Sequence, residues 1–62
     1  MNRLLVYVHF NPYHRLSDHV VYQLEQLRPL FSQVVLLSNS SLAQGDYDRL
    51  SEAGLFDHFM LF

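Results

Sequence analysis

The apolar residues of this chain fall into three short, nearly continuous runs separated by two segments of mixed polarity. The runs are "RLLVYVH" (residues 3–9), "QVVLL" (33–37) and "FDHFMLF" (56–62). β-branched and aromatic residues are frequent in them, and in the first two runs successive positions are apolar, so neither face of a strand would be polar. The pattern predicts three β-strands, of which the first two are buried on both faces.

The segment between the first two runs has the features of a helix. Ser17 is a typical N-cap, and Leu16 and Val21 are spaced for a hydrophobic staple across it. Pro29 cannot donate to a helical hydrogen bond, so the regular helix should end near Arg28 and continue as an irregular turn. Apolar residues recur at spacings of four, three and four and predict one buried stripe: Val20, Leu24, Leu27 and Phe31.

A second helix is predicted between the second and third runs, over Asp46 to Ala53. Asp46 would be its N-cap, and Leu50 would be its buried apolar residue. Gly54 follows as the residue that ends the helix in a left-handed backbone conformation.

The order of these elements is β-α-β-α-β, with spacings suited to right-handed parallel crossovers. The predicted fold class is therefore α/β: one half of a Rossmann-like, doubly wound domain with a three-stranded parallel sheet, so that residues 1–62 form a single partial domain. A strand order of 1-2-3 would place both helices on one face of the sheet, whereas 2-1-3 would place one on each. Because both faces are apolar, we expect something outside these elements to cover the sheet, either a second copy or a C-terminal remainder.

Composition narrows the possible functions. The 62 residues include no cysteine, which excludes disulfides and thiolate metal sites. A net charge of −2, with four scattered arginines as the cations, argues against nucleic acid. No apolar stretch approaches the roughly 20 residues that a membrane span needs, and the opening run is too short for a signal peptide. A cytoplasmic protein is expected.

Polar side chains cluster where the first two strands end. The loop "HFNPYHRLSDH" follows the first strand and "SNSS" follows the second. Because parallel strands end at the same edge of a sheet, where ligands of open α/β sheets bind, these loops should lie side by side. The candidate ligand-binding residues are His9, Asn11, Tyr13, Ser38, Asn39 and Ser40. The alternative is a polar loop that caps the first helix, since no glycine-rich phosphate motif is present.

Metal and nucleophile sites are less well supported. His9, His14 and His19 are separated by gaps of five, which does not match ligand spacing on a helix or a short loop. The triplet Asp46-Tyr47-Asp48 matches the D-x-D pattern of metal-dependent glycosyltransferases, but it opens a predicted helix, where acidic residues are favoured by the helix dipole. No G-x-S-x-G motif surrounds any serine. We therefore assign no metal ligand, no cofactor and no catalytic residue.

Residues 3–42, "RLLVYVHFNPYHRLSDHVVYQLEQLRPLFSQVVLLSNSSL", resemble the N-terminal segment of the rhamnan synthesis protein F family. The resemblance is carried by "LLVYVHF", by "SDHVVYQLEQLRPLF" and by "VVLLSNS". It implies a Rossmann-like, glycosyltransferase-like protein that uses a dTDP-sugar donor, dTDP-rhamnose, to build rhamnose-containing bacterial cell-surface polysaccharides. The motifs that follow the third strand in that family lie beyond Phe62. The resemblance therefore implies an N-terminal piece that is not catalytically competent alone. The alternative is a small self-associating α/β module without catalytic activity.

Overall fold

Three parallel strands alternate with two helices along the chain. The structure, a computed structural model, describes residues 2–10 and 16–62. Its elements are β1 (Leu4–His9), α1 (Asp18–Leu27), a 3-10 turn (Arg28–Leu30), β2 (Gln33–Ser38), α2 (Gln44–Glu52) and β3 (His58–Leu61). The α/β prediction is confirmed as a three-stranded parallel sheet with two helices. In the described part of the chain, no helix has the length and apolar character to cross a membrane.

The sheet has the order β1-β2-β3, with β2 in the centre. Tyr7 pairs with Leu36, and Leu36 pairs with Phe59 on the other side. The structure thus selects the first of the two strand orders that the sequence left open.

Both helices pack on one face of this sheet. Leu24 of α1 and Leu50 of α2 are fully buried against Val34 and Leu36 of β2. Partly buried side chains surround this core, namely Leu5, Tyr7, Leu16, Val20, Phe31, Leu42, Phe56 and Phe59. The core therefore lies between the two helices and a single face of the sheet, as a 1-2-3 order with two right-handed crossovers requires.

The α1 helix begins and ends as predicted, but its buried stripe is shifted. Ser17 is the N-cap, and its hydroxyl oxygen accepts a hydrogen bond from the Val20 N–H at 3.3 Å. The 3-10 turn that contains Pro29 follows directly. Val21 is 5% exposed, whereas Val20, which the spacing placed on the stripe, is only partly buried. The centre of the apolar face runs through Val21 and Leu24, and Val20 lies at its margin.

The predicted start of the second helix was wrong. The α2 helix begins at Gln44, with Ala43 as its N-cap and no capping side chain. Asp46 lies in the first turn instead, where its Oδ2 accepts a hydrogen bond from the Leu16 N–H at 3.4 Å. The carboxylate thus joins the start of α2 to the segment before α1.

The end of α2 matches the prediction. Gly54 has φ +67°, and its N–H donates to the Ser51 carbonyl at 3.0 Å. The Leu55 N–H donates to the Leu50 carbonyl at 3.0 Å, and both leucines are buried in the core. This pair of hydrogen bonds, with its apolar contact, is a Schellman motif.

Asp57 fixes the third strand to the second. Its N–H donates to the Val34 carbonyl at 2.8 Å, and its Oδ2 accepts from the Val34 N–H at 2.8 Å. The Arg28 guanidinium donates to both carboxylate oxygens, at 2.7 and 3.1 Å. The hydrogen bonds from Arg28, followed by that from the Val34 N–H, hold the pKa of Asp57 below its ordinary value. Because Asp57 makes these contacts just before β3, the strand is shorter than the apolar run predicted.

The terminal aromatic residues divide between the core and the surface. The Tyr47 ring packs edge-on against Phe56 and Phe59, with centroid distances of 5.3 and 5.6 Å. Phe62 is 61% exposed. Phe56 and Phe59 thus pack against the core, whereas Phe62 lies on the surface.

The sheet face opposite the helices is uncovered. Leu4, Val6 and Val8 of β1 are 59%, 49% and 57% exposed, and Met60 of β3 is 55% exposed. Within this chain β1 is buried on one face only, because alternate residues face the helices. The other face is left uncovered by the two helices, as expected for a 1-2-3 strand order. We call the apolar residues of this side the open face; they are Leu4, Val6, Val8, Val35, Leu37 and Met60.

Candidate functional site

The carboxyl ends of β1 and β2 bring a histidine and a serine together. His9 and Ser38 are the last residues of their strands and are directly paired in the sheet register. The His9 Nδ1 lies 3.3 Å from the Ser38 Oγ, and the two residues are 4% and 0% exposed. The prediction that the two strand ends lie side by side is confirmed for this pair.

Ser38 also organises the turn that follows β2. Its hydroxyl donates to the Ser40 carbonyl at 2.7 Å, and its oxygen accepts from the Ser40 N–H at 3.3 Å. The Asn39 N–H donates to the His9 carbonyl at 3.2 Å. The turn is therefore held both by its own serine and by the end of β1.

These contacts assign the tautomer of His9. A serine hydroxyl has one hydrogen, and that of Ser38 is directed to the Ser40 carbonyl. The His9 Nδ1 must then carry a hydrogen and donate it to the Ser38 oxygen, which leaves Nε2 as the acceptor nitrogen. Burial lowers the pKa of His9 from its ordinary value, because the charged imidazolium is poorly solvated there. The ring is therefore neutral at pH 7.

Both helices begin at this edge of the sheet. The Ser17 cap starts α1, and Asp46 in the first turn of α2 holds the preceding Leu16 N–H. The Ser17 carbonyl accepts hydrogen bonds from the Val20 and Val21 N–H groups at 3.1 and 3.3 Å. The sequence pattern did not indicate the role of Asp46, since its partner lies 30 positions away.

The other predicted residues differ in what the structure describes. Asn39 and Ser40 are partly exposed and form the accessible part of the turn. Asn11 and Tyr13, like His14, lie outside the described residues. His9 was named as a candidate ligand-binding residue, which would require an accessible side chain. With 4% of its surface exposed, it can act by orienting Ser38 but presents no ring face for stacking.

The described residues do not assemble a metal site. Within residues 2–10 and 16–62, no three His, Cys, Asp or Glu side chains come together as ligands. Asp48, the second carboxylate of the D-x-D triplet, accepts a hydrogen bond from the Gln44 side chain at 2.8 Å on the surface of α2. Asp46 is bonded to Leu16. Both carboxylates thus serve the helix and its contacts.

A surface depression of about 300 Å³ lies at the opposite edge of the sheet. It is lined by Asn2, Arg3, Leu4, Ser32 and Gln33, at the amino ends of β1 and β2. Ligands of open α/β sheets bind beyond the carboxyl ends of the strands. We therefore place the candidate site at His9 and Ser38 rather than in this depression.

Comparison of the chain with protein-family models, with curated proteins and with solved structures gave no match.

Proposed function

We propose that this chain is the N-terminal, nucleotide-binding part of a cytoplasmic rhamnosyltransferase that builds rhamnose-containing cell-surface polysaccharides. In this proposal, its ligand is the dTDP part of a dTDP-sugar donor. The substrate class comes from the resemblance of residues 3–42 to the rhamnan synthesis protein F family, and the location of the site comes from the geometry of the sheet edge.

The topology supports a Rossmann-like arrangement. The chain has three parallel strands in the order β1-β2-β3, with both helices on one face. One half of a doubly wound domain would have this arrangement. In such a domain the second half pairs beside the first strand, and ligands bind where the halves meet, at the carboxyl edge. On this proposal β1 is the inner strand, and its end at His9 lies closest to the ligand.

One observation carries the proposal: two buried polar side chains contact each other at the carboxyl edge and hold a partly exposed turn beside it. Burying polar groups costs free energy unless they are hydrogen-bonded, so a serine and a histidine at strand ends need a structural or functional reason. The Ser38 contacts position Asn39 and Ser40. These two residues would contact the ribose or phosphate of the nucleotide.

No catalytic step is assigned to these residues. Transfer of a sugar from a nucleoside diphosphate needs a base for the acceptor hydroxyl and electrostatic stabilisation of the leaving diphosphate. The described residues bring together neither a base beside an open site nor a cluster of cations at this edge. On this proposal the chain binds the donor, and the transfer chemistry requires residues beyond it.

The test is an NMR titration of the isotope-labelled chain with dTDP, with inorganic pyrophosphate as a parallel arm. We expect dTDP to shift the backbone signals of His9 and of residues 38–40, and pyrophosphate to do so only weakly. Equal shifts with both would indicate an anion site without nucleotide recognition. Signals at this edge that stay unchanged at millimolar dTDP would overturn the proposal.

The chain offers a matched pair of serines for this test. Ser38 follows the apolar part of β2, and Ser32 immediately precedes the strand. Each hydroxyl bridges backbone groups: like Ser38, Ser32 both accepts and donates, with the Arg3 N–H and the Arg3 carbonyl as partners, both at 2.9 Å. Ser38→Ala should weaken dTDP binding about tenfold, equivalent to about 1.4 kcal/mol. Ser32→Ala should leave binding unchanged, because its contacts lie at the amino edge.

A further inference from the structure

The open face is a continuous apolar surface ordered in rows by the strand register. One row is Val6 and Val35, with His58 at its end; the next is Val8, Leu37 and Met60. Leu4 and Gln33 form a shorter row beside them. The polar side chains of this face, Gln33 and His58, lie at its margins.

The charges of the described residues lie on the other side of the sheet or at its edges. Arg28 pairs with Asp57, and the Arg3 guanidinium lies 5.6 Å from the centre of the Phe31 ring. Arg49 and Asp18 contact each other between the helices at 3.4 Å. Two copies that meet through the open face would therefore bring together none of these arginine and aspartate side chains, although each chain carries a net charge of −2.

The size of this surface suits an interface. The strands β1 and β2 have six residues each and β3 has four. At a spacing of about 4.8 Å and a rise of about 3.3 Å per residue, they cover roughly 250 Å² in plan. Phe10 and Phe62, which continue the open-face period beyond the ends of β1 and β3, are 72% and 61% exposed. Their rings add about 250 Å². Two copies would then bury about 1,000 Å² in total, which reaches the roughly 1,000 Å² that distinguishes a biological interface from an incidental contact.

We infer that the open face is a homodimer interface, in which a second copy of this chain packs sheet against sheet. The pairing is self-complementary, because an uncharged aliphatic surface meets its own copy across a twofold axis. The sheets would lie about 10 Å apart, giving four layers in the order helix, sheet, sheet, helix. Phe10 and Phe62 border the carboxyl edge, where the Phe62 N–H donates to the Ser38 carbonyl at 2.9 Å. The inference uses no nucleotide contact, so it does not depend on the proposed nucleotide binding.

The test is sedimentation velocity of the chain from about 10 μM to about 1 mM, a range that captures micromolar dissociation constants. We expect a dimer that dissociates on dilution. Val6→Lys should raise its dissociation constant by about 100-fold or more, because the two ammonium groups would be brought together in an apolar interface. The matched control is Leu30→Lys: Leu30 is 56% exposed, on the turn after α1, whereas Val6 is 49% exposed. This variant should remain dimeric.

Folding is followed separately. Far-UV circular dichroism should be the same for Val6→Lys and the parent chain at low concentration, since the side chain of residue 6 faces water in the monomer. Val6→Thr keeps the β-branched shape and should weaken the dimer less than lysine does. If Val6→Lys loses both the dimer and the helix and sheet signal, the variant is misfolded and Val6→Thr is used instead. An unchanged dissociation constant for Val6→Thr would then refute the inference.

Three outcomes would overturn the inference. The first is a parent chain that stays monomeric at about 1 mM, the limit of weak specific association. The second is a dimer that Val6→Lys leaves intact, which would place the interface at a strand edge or on the helices. The third is equal dissociation by Val6→Lys and Leu30→Lys.

The arrangement of the two sheets is tested by NMR in a mixture of labelled and unlabelled chains. We expect intermolecular NOEs between the methyl groups of Val6, Val8 and Leu37. NOEs confined to the backbone of β3 would contradict the sheet-on-sheet arrangement.

Discussion

Two adjacent leucines on the central strand allow the two faces of the sheet to be compared directly. Leu36 is fully buried beneath the helices, and Leu37, the next residue, lies on the open face between Val8 and Met60. Replacing each with alanine removes the same atoms from opposite sides of one strand. The difference in the free energy of unfolding therefore reports how well each face is covered.

The magnitudes follow from burial. Leucine-to-alanine substitution at a fully buried site costs about 2–5 kcal/mol, since a cavity remains in addition to the lost transfer energy. We expect about 3 kcal/mol for Leu36→Ala. Leu37 is only partly buried and water can fill the space, so the transfer term is reduced and no cavity forms; we expect about 1 kcal/mol in the monomer. At roughly 0.05–0.15 kcal/mol per residue, a chain of this length has a total stability of about 3–9 kcal/mol. The loss of about 3 kcal/mol for Leu36→Ala thus amounts to between about a third of this stability and all of it.

The assay is urea denaturation followed by circular dichroism, at about 1 μM and again at about 500 μM, on either side of the expected dimer dissociation constant. The cost of Leu36→Ala should be nearly the same at both concentrations. The cost of Leu37→Ala should rise at the higher concentration, where a second copy covers its side chain. Equal costs for the two variants at low concentration would refute the one-sided core, and a concentration-independent cost for Leu37→Ala would contradict the proposed interface.

Two further predictions concern a helix end and a buried histidine. Gly54→Ala should destabilise the chain by about 1–2 kcal/mol, because φ +67° is unfavourable for alanine. Gly45→Ala, within α2, should stabilise it by up to about 1 kcal/mol. Neither added methyl group meets an atom within 4 Å, so thermal unfolding of the two variants measures the effect of backbone conformation alone. Burial lowers the pKa of His9 in the folded state, so its contribution to stability is fully present above its ordinary value of about 6.5 and is lost as the pH falls towards the folded value. The urea concentration at the midpoint of unfolding should therefore fall between pH 7.5 and 5, and it should fall less for His9→Gln. Asp57 does not contribute to this fall, because Arg28 and the Val34 N–H lower its pKa and it stays ionised across this range. An equal fall in His9→Gln would refute the assignment to this histidine.

The features that the sequence predicted correctly depend on short-range chemistry. The Ser17 cap joins residues three positions apart, and the Gly54 helix end joins residues within five positions. The same applies to Pro29, which acts on its own helical turn. Local hydrogen-bonding geometry is fixed by residue type and spacing, so these helix ends could be recognised without knowledge of the rest of the chain.

The features that the sequence left open or misplaced depend on contacts between distant segments. Asp46 was expected to cap α2 but bonds to Leu16, 30 positions away. The strand order could not be chosen because both faces of the first two strands are apolar, and periodicity then gives no preference. The burial of His9 follows from its register with Ser38 rather than from its neighbours in sequence. At the candidate site, the adjacency of the two strand ends was predictable, whereas the direction of the side chains was not.

The two proposed surfaces are geometrically separate, and this separation follows from the fold. Side chains of a strand stand perpendicular to the sheet, so Val6, Val35 and Met60 would face a partner across the open face. The candidate ligand site, by contrast, lies along the strand direction, beyond the ends of β1 and β2, where His9 and Ser38 meet. A nucleotide at this edge would contact Asn39 and Ser40, and a second chain would contact the open face. Phe10 and Phe62, which continue the open face past the strand ends, border both surfaces. Parallel sheets are ordinarily covered on both faces, so the apolar residues of the open face are the basis of the proposed dimer. The buried pair of His9 and Ser38 is the basis of the proposed ligand site. Each proposal rests on its own residues, and refuting one leaves the other standing.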